Sequence, residues 1–143
     1  MRASYIFAIL LTTAAGPCAA AGQLPAPNHP ILGTWRIAVL DGSCSETYRF
    51  RPDGTILVTS GEETAEMEYE ISVLPSVNGF YRWSHRNVGG NGKKDCAGNV
   101  AELRSEATWF VRFDQSKDLL IVCTEESVNA CFGPLRRVHG QDS

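Results

Sequence analysis

The chain has 143 residues, of which 43% are hydrophobic and 20% charged, a composition typical of a globular domain and not of a disordered or collagen-like chain. Lysine and arginine together number 13 against 16 aspartate and glutamate residues, so no basic excess is present to hold a polyanion, and nucleic-acid binding is not expected. A chain of this length is expected to form one domain with a modest core.

The first 21 residues (1–21) have the organisation of a secretory signal peptide. Arg2 precedes an uncharged apolar run over residues 5–15, and a patch of small residues follows that offers a cleavage site. The run is shorter than the roughly 20 residues that a membrane span requires, so no span is expected. Lipidation at Cys18 is the less favoured alternative, because Pro17 directly precedes the cysteine. The sequence therefore predicts export to the periplasm or the medium.

The cysteines support the same compartment. Removal of the signal peptide leaves four of them: Cys44, Cys96, Cys123 and Cys131. An even number in an exported domain predicts two disulfides, and the count alone leaves three pairings open. No two cysteines have the Cys-x-x-Cys spacing of a zinc site, so neither a metal nor another cofactor is expected.

After the signal peptide the chain is expected to form a leader followed by short strands. Residues 22–32 contain prolines and no periodic apolar pattern, which predicts an extended leader. Beyond it, glycine, proline and polar turns recur at intervals of roughly ten residues, and no apolar pattern of helical period is present. The predicted strands are 34–40, 44–51, 55–60, 64–73, 80–86, 102–113, 119–124 and 130–138. This spacing predicts an all-β sandwich or barrel over residues 33–139.

The clearest pattern lies in residues 64–73. Apolar residues alternate there with polar ones, which is the period of a half-buried strand. We expect the three glutamates of this segment to face solvent: Glu66, Glu68 and Glu70.

The opening of the first predicted strand carries a resemblance. Gly33 and Trp35, separated by one residue, resemble the Gly-x-Trp signature of lipocalin-like (calycin) barrels, and residues 48–55 resemble the second hairpin of small bacterial members. The resemblance implies an eight-stranded antiparallel up-and-down barrel, with Trp35 closing one end and an arginine of the last strand stacked on it. Arg136 and Arg137 stand where that arginine belongs.

The same resemblance implies a disulfide pairing. In an up-and-down barrel the first, fifth and seventh strand connections lie at one end, so all four cysteines gather at one rim. The pairing that follows is Cys44–Cys96 together with Cys123–Cys131, the latter across a hairpin.

No combination of nucleophile, base and orienting group is evident, so we assign no catalytic residue and expect no enzymatic activity. His29 in the leader and His139 near the C-terminus are expected to be mobile, and His85 is expected at the surface or the rim. Glu62 and Glu63 are expected at the charged tip of a hairpin, where adjacent side chains point apart and make a poor acid–base pair.

The aromatic side chains are sufficient for a filled core or for an interior pocket, and an eight-stranded barrel accommodates either. The candidate ligand-binding residues are Tyr69, Arg82, Trp83 and Trp109. Arg82 would anchor an anionic head group if its face of the strand points inward, and would be a surface charge if it points outward.

Three functions are therefore open. The resemblance favours an exported module for a small apolar or amphipathic ligand. The first alternative is an interaction protein, such as a hydrolase inhibitor, whose contact surface is the loop from Asn87 to Val100 (87–100). The second alternative is a structural domain with a filled barrel and no ligand.

Overall fold

The structure is a computed structural model that describes residues 23–39 and 41–140. Eight antiparallel strands form a closed barrel in chain order, and β8 pairs with β1. The strands are β1 (Gly33–Val39), β2 (Cys44–Phe50), β3 (Thr55–Ser60), β4 (Glu63–Ile71), β5 (Tyr81–Gly90), β6 (Glu106–Phe113), β7 (Leu119–Cys123) and β8 (Cys131–Arg137). The predicted all-β up-and-down barrel is confirmed, whereas the predicted signal peptide lies outside the described residues.

The observed strands differ most from the predicted ones around the connection between β5 and β6. β5 continues to Gly90 instead of ending at Arg86, and β6 begins at Glu106 instead of at residue 102. Glycine is unfavourable in strands, which is why the sequence predicted a loop here. Gly90 is required in the sheet because a Cβ at this position would lie 2.9 Å from the backbone oxygen of Thr64.

The alternation in β4 is confirmed. Ala65, Tyr69 and Ile71 are buried, and the three intervening glutamates are exposed. The inward-facing side chains of all eight strands form one continuous core, to which Ile31 of the leader also belongs. Within the described ranges 23–39 and 41–140, no helix is long and apolar enough to cross a membrane.

Trp35 closes one end of the barrel, which we call the closed end. Its side chain is fully buried, and its indole Nε1 donates to the backbone oxygen of Ile31 at 2.8 Å. Phe113 packs on the same indole, with ring centroids 5.7 Å apart. The closed end is therefore filled by apolar side chains, and the polar atom of Trp35 has a partner.

Arg137 stacks on Trp35, with its guanidinium carbon 4.2 Å from the indole centroid. The guanidinium also donates to three backbone oxygens: those of Pro30 at 2.6 Å, Leu32 at 2.8 Å and Lys117 at 3.0 Å. Gly33 has a φ of +112°, and a Cβ there would lie 3.2 Å from this guanidinium. The neighbouring Arg136 is exposed, since adjacent residues of a strand point to opposite faces.

The end of the leader folds onto the closed end. His29 is only 4% exposed, its Nδ1 accepts from the amide of Ile31 at 3.1 Å, and its Nε2 donates to the backbone oxygen of Ser72 at 3.1 Å. Its ring packs edge-on against Tyr81, with centroids 4.8 Å apart. The expectation of a mobile His29 is therefore wrong, because tertiary contacts hold the imidazole in place.

Both predicted disulfides are confirmed. Cys44–Cys96 joins residues 52 positions apart, and Cys123–Cys131 joins residues 8 positions apart. The bonds lie at the end of the barrel opposite Trp35, which we call the disulfide rim. Disulfides form and persist in oxidising compartments, so the pair indicates an extracytoplasmic environment.

Candidate functional site

The barrel interior holds a cavity of about 270 Å³ between the closed end and the disulfide rim. Ile31, Leu120 and Leu135 line it on the side of the closed end, and the connection between β5 and β6 lines it on the side of the rim. The volume lies just below the range of about 300–1,000 Å³ that is typical of ligand pockets. The barrel is thus filled toward one end and hollow toward the other.

Aromatic side chains form much of the cavity wall. Trp83 is 5% exposed and packs edge-on against Phe50, with ring centroids 5.2 Å apart. Trp109 and Phe132 form a second edge-on pair at 5.8 Å. The structure therefore brings together two of the four predicted ligand-binding residues, Trp83 and Trp109, which pair across β5 and β6.

His85 lies beside these indoles in the cavity wall. Its Nε2 accepts a hydrogen bond of 3.1 Å from Nε1 of Trp109, which leaves the proton of the neutral imidazole on Nδ1. Burial lowers the pKa of His85, and this favours the neutral form. Of the two places expected for His85, the surface and the rim, neither is observed: the residue lies within β5 in the cavity wall, because it has the same phase as Trp83 and faces inward.

Two buried donors of this wall have no acceptor among the described residues. They are Nε1 of Trp83 and Nδ1 of His85, whose rings lie 5.0 Å apart between centroids. A buried polar group without a partner costs about 1–3 kcal/mol of stability, so such groups are rare in structural cores. These two donors thus contrast with Nε1 of Trp35, which has a hydrogen-bond acceptor.

The part of the cavity that lies toward the disulfide rim, which we call the mouth, is acidic, since Glu46, Glu63 and Asp95 line it. The carboxylate of Glu46 accepts hydrogen bonds from the Tyr48 hydroxyl at 2.6 Å and from the Ser60 hydroxyl at 2.9 Å. Burial, together with the hydrogen bond to Glu46, raises the pKa of Tyr48 far above its ordinary value, so the hydroxyl stays a donor. Glu46 is therefore held in a fixed orientation at the mouth.

Glu63 is the second carboxylate of the mouth. It is 8% exposed and accepts a hydrogen bond of 3.1 Å from the amide of Ala101. Burial raises its pKa, and the negative charges of Asp95 and Glu46 add to the shift. Glu63 directly follows the two-residue turn between β3 and β4, as expected, but its side chain is buried and lines the cavity instead of extending into solvent.

The connection between β5 and β6, residues 91–105, covers the mouth and supplies Asp95, Asn99 and Val100 to the lining. Cys96 fastens this connection to β2 through the disulfide with Cys44. The buried side chain of Asn87 fastens its base, donating 2.9 Å to the backbone oxygen of Glu102. Part of the loop that the sequence assigned to a protein partner, residues 87–90, is strand.

The other two predicted ligand-binding residues lie elsewhere. Tyr69 is buried in the core, and its hydroxyl donates to the backbone oxygen of Arg51 at 2.9 Å, so it does not line the cavity. Arg82 is exposed on the outer face of β5, because its neighbour Trp83 points inward. Of the two placements open for Arg82, the outward one is observed.

Sequence reasoning missed Glu46, Glu63 and Asp95. A signal for the first was available, since Glu46 has the same phase in β2 as Tyr48 and Phe50. Glu63 likewise precedes the inward-facing residues of β4 at the same period. Asp95 lies on an irregular connection, where no periodicity indicates its direction.

Within the part of the chain that the structure describes, no three His, Cys, Asp or Glu side chains form a group that could hold a metal ion. The fold and the cavity together define a closed eight-stranded β-barrel with a partly hollow, acid-mouthed interior. In comparisons with protein-family models, curated proteins and solved structures, no match was found.

Proposed function

We propose that the protein is an exported binding module that holds a small, largely apolar ligand inside its barrel, as lipocalin-like (calycin) proteins do. The family resemblance is supported by the strand order and by Gly33, Trp35 and Arg137, which meet at the closed end.

The observation that carries the proposal is the distribution of space in the barrel. A barrel of eight strands is narrow enough for side chains to fill completely, and here they do so at the closed end. Toward the rim, a cavity of about 270 Å³ remains, walled by aromatic rings. Native interiors contain few voids larger than a water molecule, so a cavity of this size favours a ligand over a purely structural interior.

The described geometry supports entry through the rim. The closed end is blocked by Trp35 and by the leader that Arg137 fastens to it. At the other end the cavity is bounded by residues 91–105, which are irregular apart from one bridge between Lys94 and Val100. Moving such a connection to admit a ligand disrupts less regular structure than moving a strand of the barrel.

The test is a titration of the purified protein with 1-octanol, monitored by calorimetry and by tryptophan fluorescence. The variant Val58→Phe places a larger side chain in the cavity wall, and Leu57→Phe makes the same type of change on the outer face. We expect affinity to fall about tenfold or more in the first variant and to stay unchanged in the second. Absence of binding, or equal affinity in both variants at unchanged melting temperature, would contradict the proposal.

A further inference from the structure

The charges that line the cavity are all of one sign. Glu46, Glu63 and Asp95 line it, and none of its lining residues is a lysine or an arginine. The four ion pairs between described residues involve none of these three carboxylates. None of these three carboxylates therefore forms an ion pair with a described side chain.

We infer that the ligand is an organic ammonium ion, with its cationic group at the mouth beside Glu46, Glu63 and Asp95 and its apolar body among the aromatic rings below. This inference rests on the proposed function and adds the chemical class of the ligand.

The first step of the argument is electrostatic. Opposite charges attract more strongly near a protein surface than in bulk water, and burial of Glu63 keeps screening by salt low. Each carboxylate oxygen of Glu46 accepts one hydrogen bond and retains a further lone pair for an N–H donor. An anionic ligand such as a fatty acid would instead be repelled by the same three groups.

The second step concerns the aromatic wall beside the carboxylates. Tyr48, Trp109 and Phe132 line the same cavity, and Tyr48 is hydrogen-bonded directly to Glu46. Aromatic faces attract ammonium groups, and the attraction is larger where water is excluded. Carboxylates next to aromatic rings are therefore a combination suited to an organic cation.

An independent feature of the same wall supports a bound ligand. Trp83 lines the cavity, is more than nine-tenths buried, and its Nε1 has no acceptor among the described residues. A buried donor without an acceptor is unusual in a purely structural interior. The acidic mouth and the unpaired donor are thus two separate features of the wall of one cavity.

The size of the cavity limits the length of the ligand. Liquid water occupies about 30 Å³ per molecule, so a volume of about 270 Å³ holds on the order of ten non-hydrogen atoms. Three probes of this size differ in the charge of the head group: octylammonium, 1-octanol and octanoate. Calorimetry of the purified protein with each probe, at one ionic strength and neutral pH, compares the three charge states directly.

We expect octylammonium to bind about tenfold more tightly than 1-octanol, and octanoate to bind more weakly than either. Glu46→Gln and Glu63→Gln should each reduce the advantage of octylammonium about threefold and leave the affinity for 1-octanol unchanged. Glu70→Gln, an exposed glutamate on the outer face of β4, is the matched control and should change neither affinity.

The outcomes separate this inference from the proposed function. Equal binding of octylammonium and 1-octanol, with both weakened by Val58→Phe, would overturn the ammonium inference and leave the binding module standing. Preferential binding of octanoate, or an advantage of octylammonium that persists in both mouth variants, would also overturn it. If none of the three probes binds, both the inference and the proposed function fail.

Discussion

The two ends of the barrel are built from similar residue types, but they differ in whether the buried polar atoms of those residues have hydrogen-bond partners. At the closed end Trp35, His29 and Arg137 each have hydrogen-bond partners, and fully buried apolar side chains fill the space between them. Toward the disulfide rim, Trp83 and His85 each bury a donor without an acceptor, beside a cavity.

The comparison shows that the two ends differ in packing and in the pairing of their buried polar groups. A satisfied polar group and a filled core lower the free energy of the folded state, whereas a cavity and unpaired donors raise it. The disulfides lie at the less well packed end, where two covalent links offset the weaker packing. The features that cost stability toward the rim are the ones on which the proposed ligand binding rests.

The largest expected difference between the ends comes from deleting an indole. Trp35→Ala removes a fully buried ring, its hydrogen bond and its stacked arginine, and should lower the free energy of unfolding by about 3–5 kcal/mol. Trp109→Ala, at the half-buried cavity wall, should cost clearly less. Urea denaturation of both variants measures this, and an equal loss would remove the proposed contrast between the ends.

The two disulfides should contribute unequally at the rim. In the chain-entropy treatment, closing the long loop of Cys44–Cys96 is worth about 4 kcal/mol and closing the short loop of Cys123–Cys131 about 2.5 kcal/mol. Double alanine variants of each pair, compared by denaturation under non-reducing conditions, check the order. If loss of Cys123–Cys131 instead lowers stability more, loop closure does not set the order, and native contacts hold residues 91–105 in place without the longer disulfide.

The arginine pair tests how specific the closed end is. Arg137→Ala removes the stacking on Trp35 and three hydrogen bonds to backbone oxygens, and should cost about 2–3 kcal/mol. Arg136→Ala removes the same charge at an exposed position and should stay within about 0.5 kcal/mol of the parent. Similar losses in the two variants would mean that net charge, not the fastening of the leader, is responsible.

The smallest expected effect is a pH dependence shared by both ends. Burial lowers the pKa of His29 and of His85 below 6.5, and for His29 the hydrogen bond to Ser72 opposes this shift. The unfolded chain then binds more protons than the folded one, so stability is fully present above pH 6.5 and falls as the pH drops toward the folded pKa values.

His29→Asn and His85→Asn should each reduce this acid-induced loss, by about 1.4 kcal/mol per unit of difference between the folded and unfolded pKa. Melting temperatures between pH 7.5 and 5 measure it. If the melting temperature of both variants falls with decreasing pH as steeply as that of the parent, other groups cause the acid sensitivity.

Most of the fold was predictable from local patterns. The alternation in residues 64–73 and the regular turns indicate strands, because side chains of a strand alternate between its faces. The limits of β5 were not predictable, since Asn87, Gly89 and Gly90 have low strand propensity and are kept in the sheet by pairing with β4. His29 was misjudged for a similar reason, because its partners come from distant parts of the chain.

The candidate site was predictable only in part. Trp83 and Trp109 follow from their phase in neighbouring strands, and the same rule applied to Arg82 leads to the outer face. The alternation of inward and outward side chains also places Glu46 and Glu63 on the inner face. Charged residues are rarely buried, however, so the local pattern alone does not predict that they line the cavity.

The sequence by itself determined the all-β class and, through the resemblance, the strand order, the pairing of cysteines and the tryptophan of the closed end. The all-β class depends on periodicity and on neighbours in the chain, which local residue types encode. The tertiary structure alone decided that the barrel is filled at one end and hollow at the other, and that three carboxylates line the same cavity. Empty space and clustered charge depend on side chains from several strands packed together, and no single segment of the chain contains that information.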